Sequence, residues 1–102
     1  MTFRVRFTEI AQQDLERLQD FLLQQSNGDF ALAERSLLAI SAGITVLQLS
    51  PFSCRKATSG NAFLREVVIS FGATGYVALF EIEDARTVTV LAVRHQREDD
   101  FH

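Results

Sequence analysis

The sequence lacks the features that mark several large protein classes. It holds one cysteine, Cys54, so no intrachain disulfide can form, and a reducing cytoplasm is the expected compartment. No apolar run approaches the roughly 18 residues of a membrane span, so none is expected. The opening residues Met1-Thr2-Phe3-Arg4-Val5-Arg6 place charge where a secretory leader needs an apolar stretch, so export is not expected either. An excess of positive charge is also missing. Ten basic residues face thirteen acidic ones, a formal net charge of −3. A free-standing nucleic-acid binder draws much of its affinity from neutralised phosphates, and that contribution is weak here. Lysine is nearly absent: Lys56 stands alone beside nine arginines, whose planar forks bond carboxylates and phosphates in pairs. No internal repeat or low-complexity tract occurs.

What is present is enough for one core. The chain has 102 residues, the size of a single domain spanning 1–102. Leu, Ile, Val and Phe together number 34, a third of the chain, which excludes intrinsic disorder. Phe3, Val5 and Phe7 alternate with Arg4 and Arg6, a strand with one apolar face. Thr8 reads as an N-cap, and Ala11, Leu15, Leu18 and Leu22 continue at helical steps, predicting a helix from about residue 9 to 25. Ser26-Asn27-Gly28 breaks it, and Asp29 caps a second helix with the stripe Phe30, Ala33, Leu37, Ile40, Ile44 and Leu47. Both stripes are read as core. Ala31, Leu38, Ala42 and Leu49 add a second apolar face to this helix, which therefore needs two partners: the first helix, and a sheet or a separate protein. Pro51 ends it.

Residues 50–62 read as a loop carrying Arg55 and Lys56. Three strands follow, over residues 63–71, 76–83 and about 86–95, with connections short enough to demand antiparallel pairing. The expected architecture is α+β: an N-terminal strand, an antiparallel helical hairpin, then a three-stranded meander in one sheet with the first strand.

This order, with Phe7-Thr8, Ala11 and Asp14-Leu15 at the first helix and Leu49-Ser50-Pro51 closing the second, resembles the RelE/ParE superfamily of type II toxins. Leu64-Arg65-Glu66, Gly75-Tyr76 and Phe80-Glu81-Ile82 match its sheet. The run Val90-Leu91-Ala92-Val93-Arg94-His95-Gln96-Arg97-Glu98-Asp99-Asp100-Phe101 looks like its closing strand and tail. The resemblance implies a toxin neutralised by a cognate antitoxin. RelE-like members are similar to ribosome-dependent mRNA endoribonucleases, whereas ParE-like members are associated with poisoning DNA gyrase. Metal-independent RNA cleavage must activate a 2′-OH and stabilise a phosphorane. RelE-like members often place an Arg after the Gly-Tyr pair and a Tyr in the tail. Here those positions hold Val77 and Phe101, and Glu98-Asp99-Asp100 would repel phosphate, so the ParE-like branch and gyrase are favoured. The alternative is a nuclease using Arg65, Glu66, Arg94 and His95, although Arg65 and Glu66 alternate across a strand.

Arg55, Lys56, Arg94, His95 and Arg97 are the candidate target-binding residues. Leu38, Ala42, Leu49 and Arg65 are the candidate antitoxin-binding residues. Arg65 shares a strand face with apolar residues and wants a partner, in a bound protein or within the chain, for instance a tail acid. The same tail acids offer Arg94, His95 and Arg97 a plainer reading, a solvated strand end. No cofactor and no metal are expected. His95, Asp99 and His102 make a weak ligand set at a chain end. Cys54 beside Arg55 and Lys56 reads as a plain thiol rather than a nucleophile, and Tyr76 as a packing residue with its hydroxyl at the surface.

Overall fold

The computed structural model describes residues 2–98. Strand β1 (Arg4–Phe7) leads into helices α1 (Glu9–Gln25) and α2 (Phe30–Leu49). A 3-10 turn (Pro51–Ser53) and strands β2 (Arg55–Thr58), β3 (Asn61–Phe71), β4 (Thr74–Ile82) and β5 (Thr87–His95) follow. The sheet order is β1-β5-β4-β3-β2, with β1 parallel to β5 and the other neighbours antiparallel. The architecture is the expected α+β arrangement.

Both helices begin as the sequence predicts. The Thr8 hydroxyl accepts from the Ala11 N–H, and the Asp29 carboxylate accepts from the Leu32 N–H, each satisfying an orphan donor of a first turn. Asn27 and Gly28, with φ of 56° and 82°, carry the chain between the helices.

α1 lies over β5 and α2 over β3, so both cover the same face of the sheet. The core between them holds Val67, Ile69, Tyr76, Ala78, Phe80, Ile82, Val88, Val90 and Val93 from the strands, with Leu18, Ile40 and Leu47 from the helices. The side-chain alternation of β5 changes part-way. Phe80 faces Val90 but Leu79 faces Ala92, so Leu91 is inserted as a bulge, and the inward residue after Val90 is Val93.

Three expectations are corrected. Residues 50–62 are not a loop: Pro51–Ser53 is a 3-10 turn, and Arg55–Thr58 pairs with β3 as an edge strand. Its residues, Arg-Lys-Ala-Thr, carry no apolar alternation because only the ladder to β3 holds them. The α2 core stripe is also displaced. The buried line is Ala33, Ser36, Ile40, Gly43 and Leu47, while Phe30 and Leu37 are 75% and 51% exposed. Small residues face the sheet because the helix sits close to it: a Cβ on Gly43 would lie 2.7 Å from the Ile69 Cγ1. The larger Leu37 turns outward. Finally, α2 is long and apolar enough to cross a membrane by length and composition, contrary to the expectation that no such run exists. Five of its residues are buried in the fold instead.

The displacement of the stripe sets a prediction. Leu47→Ala should destabilise by about 2–5 kcal/mol, and Leu37→Ala by less than about 1 kcal/mol. Gly43→Ala should cost about 1–3 kcal/mol through overpacking against Ile69, despite the better helix propensity of alanine. Urea unfolding of the three variants checks the order.

Candidate functional site

β1 runs beside β5 only as far as the Phe7–Val90 pair. Beyond it, the outer edge of β5 would be bare. The start of α1 takes over that edge. The Thr8 N–H donates to the Val90 carbonyl at 3.0 Å, and the Thr8 hydroxyl donates to the Leu91 carbonyl at 3.0 Å. Six residues further on, the buried Asp14 carboxylate accepts the Val93 N–H at 2.9 Å. Two polar side chains thus replace a missing strand, and the bulge at Leu91 supplies the room. Asp14 is the residue that the apolar stripe of α1 hides: it falls at a helical step between Ala11 and Leu18, on the buried side.

A second polar chain crosses the core. The Gln19 amide donates to the Ser36 hydroxyl at 3.0 Å, and that hydroxyl lies 2.8 Å from the Tyr76 hydroxyl. It joins α1, α2 and β4. The Tyr76 hydroxyl is therefore buried, not at the surface as expected, and its ring stacks on Phe71 and meets the edge of His95. Gly75 precedes it because no side chain fits: a Cβ there would stand 2.1 Å from the Ile69 carbonyl oxygen.

β5 delivers the candidate target residues to a short turn. The Gln96 N–H donates to the Gly75 carbonyl at 2.8 Å, and the Glu98 N–H to the His95 carbonyl at 3.0 Å. Arg94 leaves the strand on the face away from the helices, opposite Val77, and folds back. Its Nη1 reaches the Glu98 carbonyl at 2.6 Å and the His95 and Gln96 carbonyls at 3.3 and 3.4 Å. Arg94 thus secures the turn. His95 points to the other face; its Nδ1 accepts the Arg97 N–H at 3.1 Å, which leaves Nε2 to carry the ring proton. Arg17 of α1 bridges to Glu98 at 3.1 Å. Arg17, Phe21, His95, Arg97 and Glu98 border a pocket of about 480 Å³. Arg97 is exposed there, and its guanidinium has no partner among the described residues. Phe101, Asp99, Asp100 and His102 lie outside the described residues.

The other candidates lie elsewhere. Arg55 pairs with Glu66 across β2 and β3 at 3.1 Å, and Lys56 is exposed on the edge strand. Arg65 has found its partners within the chain, but they are backbone carbonyls: Ala62 at 2.7 Å, Phe52 at 3.0 Å and Cys54 at 2.7 Å. Its guanidinium also lies 5.3 Å from the centroid of the Phe52 ring. Leu38, Ala42 and Leu49 share an exposed stripe of α2 with Val46, and the stripe ends near Phe52 and Arg65. Burial pushes the Cys54 thiol up from its ordinary pKa, more than nearby Arg65 and Ser53 pull it down, so it stays protonated at neutral pH.

The four residues of the nuclease alternative do not gather. Arg65 and His95 are on the helix side of the sheet, Glu66 and Arg94 on the open side. Arg65 pairs with Phe80 and His95 with Tyr76, which puts their backbones two strands and four residues apart, about 16 Å. Among the described residues, no three His, Cys, Asp or Glu cluster as metal ligands would.

Residues 5–100 match the family described as the ParE toxin of the type II toxin–antitoxin system parDE. The chain belongs to the ParE toxin family. No curated protein matches it as an individual relative. In this ParE toxin the residues that carried the resemblance have structural reasons. Thr8 and Asp14 seal β5, Ala11 leaves α1 room to approach it, Gly75 admits a carbonyl and Tyr76 ties β4 to α2.

Losing the Asp14 carboxylate should strand the buried Val93 N–H. Asp14→Leu is expected to destabilise by about 1–3 kcal/mol, and Asp14→Asn, which keeps an acceptor, by less. Thermal unfolding of the two variants measures the difference.

Proposed function

We propose that this ParE-family toxin acts as one domain in the cytoplasm, by binding and poisoning DNA gyrase without chemistry of its own, until a cognate antitoxin covers it. The observation that carries the reading is the scatter of the groups a nuclease would need. Arg65 and His95 lie on the helix side of the sheet, their backbones about 16 Å apart, and Glu66 and Arg94 on its open side. Arg65 is held by three backbone carbonyls and Arg94 by the turn after β5, so the arrangement supports binding rather than acid–base catalysis. The target surface of this proposal centres on Arg97 and His95 at the end of β5, with Arg17 and Phe21 of α1 beside them. Arg55 and Lys56 form a separate basic edge on β2. Arg94 supports the first surface through the turn that it holds.

The test joins two assays: purified toxin with gyrase, DNA and ATP, and toxin with ribosomes and mRNA. The reading expects trapped gyrase–DNA cleavage complexes and no codon-positioned mRNA cuts. Arg97→Ala should weaken gyrase poisoning tenfold or more, about 1.4 kcal/mol, while stability stays within about 0.5 kcal/mol. Ribosome-dependent cuts that vanish in His95→Ala would replace gyrase with the ribosome.

The antitoxin proposal rests on the second apolar face of α2. Leu38 and Leu49 are 65% and 62% exposed, and a partner segment lying across them would bury what the fold leaves open. Arg65, held against the Phe52 carbonyl, closes that surface at the C-terminal end of the helix. Leu38→Asp and Leu49→Asp should each weaken antitoxin binding about 30-fold or more, as loss of a buried anchor does, and leave folding intact. Titration calorimetry with the cognate antitoxin reads the change.

A further inference from the structure

At one end of the sheet the ladder between β3 and β4 stops early. It begins at the Leu64–Glu81 pair, whereas β3 starts three residues sooner at Asn61, so residues 61–62 project past the end of β4 at Ile82. The overhang is already satisfied internally. The Phe63 N–H donates to the Asn61 side chain at 2.9 Å, and the Ala62 carbonyl accepts from Arg65. It is therefore not an edge waiting for another strand. Between the overhang and the β4–β5 turn lies a cleft of about 850 Å³.

One wall of the cleft is aromatic. Phe52 and Phe63 are 51% and 53% exposed and meet edge to face, with centroids 6.2 Å apart. The Arg65 guanidinium packs on Phe52 and is locked by three carbonyls, so the platform is fixed before anything binds and little ordering cost remains. The cleft is also lined by three acids: Glu81 and Glu83, which alternate toward the open side of the sheet, and Asp84 in the β4–β5 turn. Glu81 makes no ion pair among the described residues. Glu83 approaches Arg6 only at 4.0 Å, with both side chains exposed. The Asp84 carboxyl is held below its ordinary pKa, chiefly by the Arg86 N–H, and is charged at neutral pH. Arg4 and Arg6 of β1 offset part of this charge, at Asp84 and Glu83 respectively.

We propose that this cleft docks a basic, amphipathic segment of a partner protein, with an apolar side chain against Phe52 and Phe63 and Arg or Lys side chains on Glu81, Glu83 and Asp84. The chemistry is that of an interface anchor. Exposed aromatic faces attract both apolar groups and guanidinium, and a carboxylate rim selects cations and repels acidic sequences. The acids of the cleft belong to neither the gyrase nor the antitoxin surface, while Phe52 and Arg65 join the cleft to the end of the α2 stripe.

The experiment uses the full chain and a fluorescein-labelled nonapeptide of alternating Arg and Leu, followed by anisotropy. The same peptide with Glu in place of Arg is the control. Saturable one-to-one binding of the Arg peptide and none of the Glu peptide are expected. The triple variant Glu81→Gln, Glu83→Gln, Asp84→Asn should bind at least tenfold more weakly; Asn at 84 keeps an acceptor for the Arg86 N–H. Phe63→Thr, which leaves every charge in place, should also lose at least fivefold. A triple of equal charge change on the helices, Glu16→Gln, Asp20→Asn, Glu34→Gln, should bind like the parent. Circular dichroism checks that each variant folds. Should the cleft triple not fold, Glu81→Gln alone is read instead, with about a threefold loss expected. Equal weakening by the two triples, no effect of Phe63→Thr, or no binding by the parent chain would each overturn the proposal.

Discussion

The outer edge of β5 is the constraint on which the rest of this fold depends. A strand edge with unpaired N–H and C=O groups cannot be left bare beneath a packed helix. β1 is only four residues long and covers half of the edge. Thr8 and Asp14 cover most of the remainder, one by its hydroxyl and one by its carboxylate, and the Glu98 carboxylate accepts the His95 N–H at 3.2 Å. That arrangement fixes the angle at which α1 leaves β1, and through the Gln19–Ser36–Tyr76 chain it fixes where α2 meets the sheet. The bulge at Leu91 belongs to the same device, since it turns Val93 inward while the helix reads the edge outside.

The two faces of the sheet consequently differ in kind. The helix-covered face is core. The open face is apolar at Val77 and Leu79 of β4 and carries charge around them, in Glu81, Arg94, the Arg55–Glu66 pair and the Arg6–Glu83 approach. At the far end of β5, the chain turns under the control of Arg94, and Arg97 is left to solvent beside Phe21. A ParE toxin organised this way presents exposed surfaces at three places: the α2 stripe, the β5 turn and the cleft under Phe63.

Much of the fold was legible because local signals and tertiary packing agree. Thr8 and Asp29 mark helix starts, Pro51 marks a stop, and short connections separate the last three strands. The misreading of α2 has one cause: burial set by close approach rather than by hydrophobicity. Ser36 and Gly43 face the sheet because they are small, and Leu37 is displaced although it is more apolar. Asp14 is buried because it replaces a backbone partner, which no stripe of apolar residues reveals. β2 has no pattern of its own, since an edge strand is specified by its neighbour. Among the candidate site residues, the alternation of Arg65 and Glu66 was readable from strand geometry. That Arg65 would bond three carbonyls, and Arg94 the turn after it, was not, because both depend on loops that the sequence pattern leaves undefined.

The sealing of β5 by α1 can be measured directly through amide hydrogen exchange at Val93. The account predicts that the Val93 N–H exchanges as slowly as the ladder amides of Val88 and Val90, and that this protection disappears in Asp14→Leu while theirs persists. A Val93 amide that exchanges within seconds in the parent chain, with Val88 and Val90 protected, would contradict it.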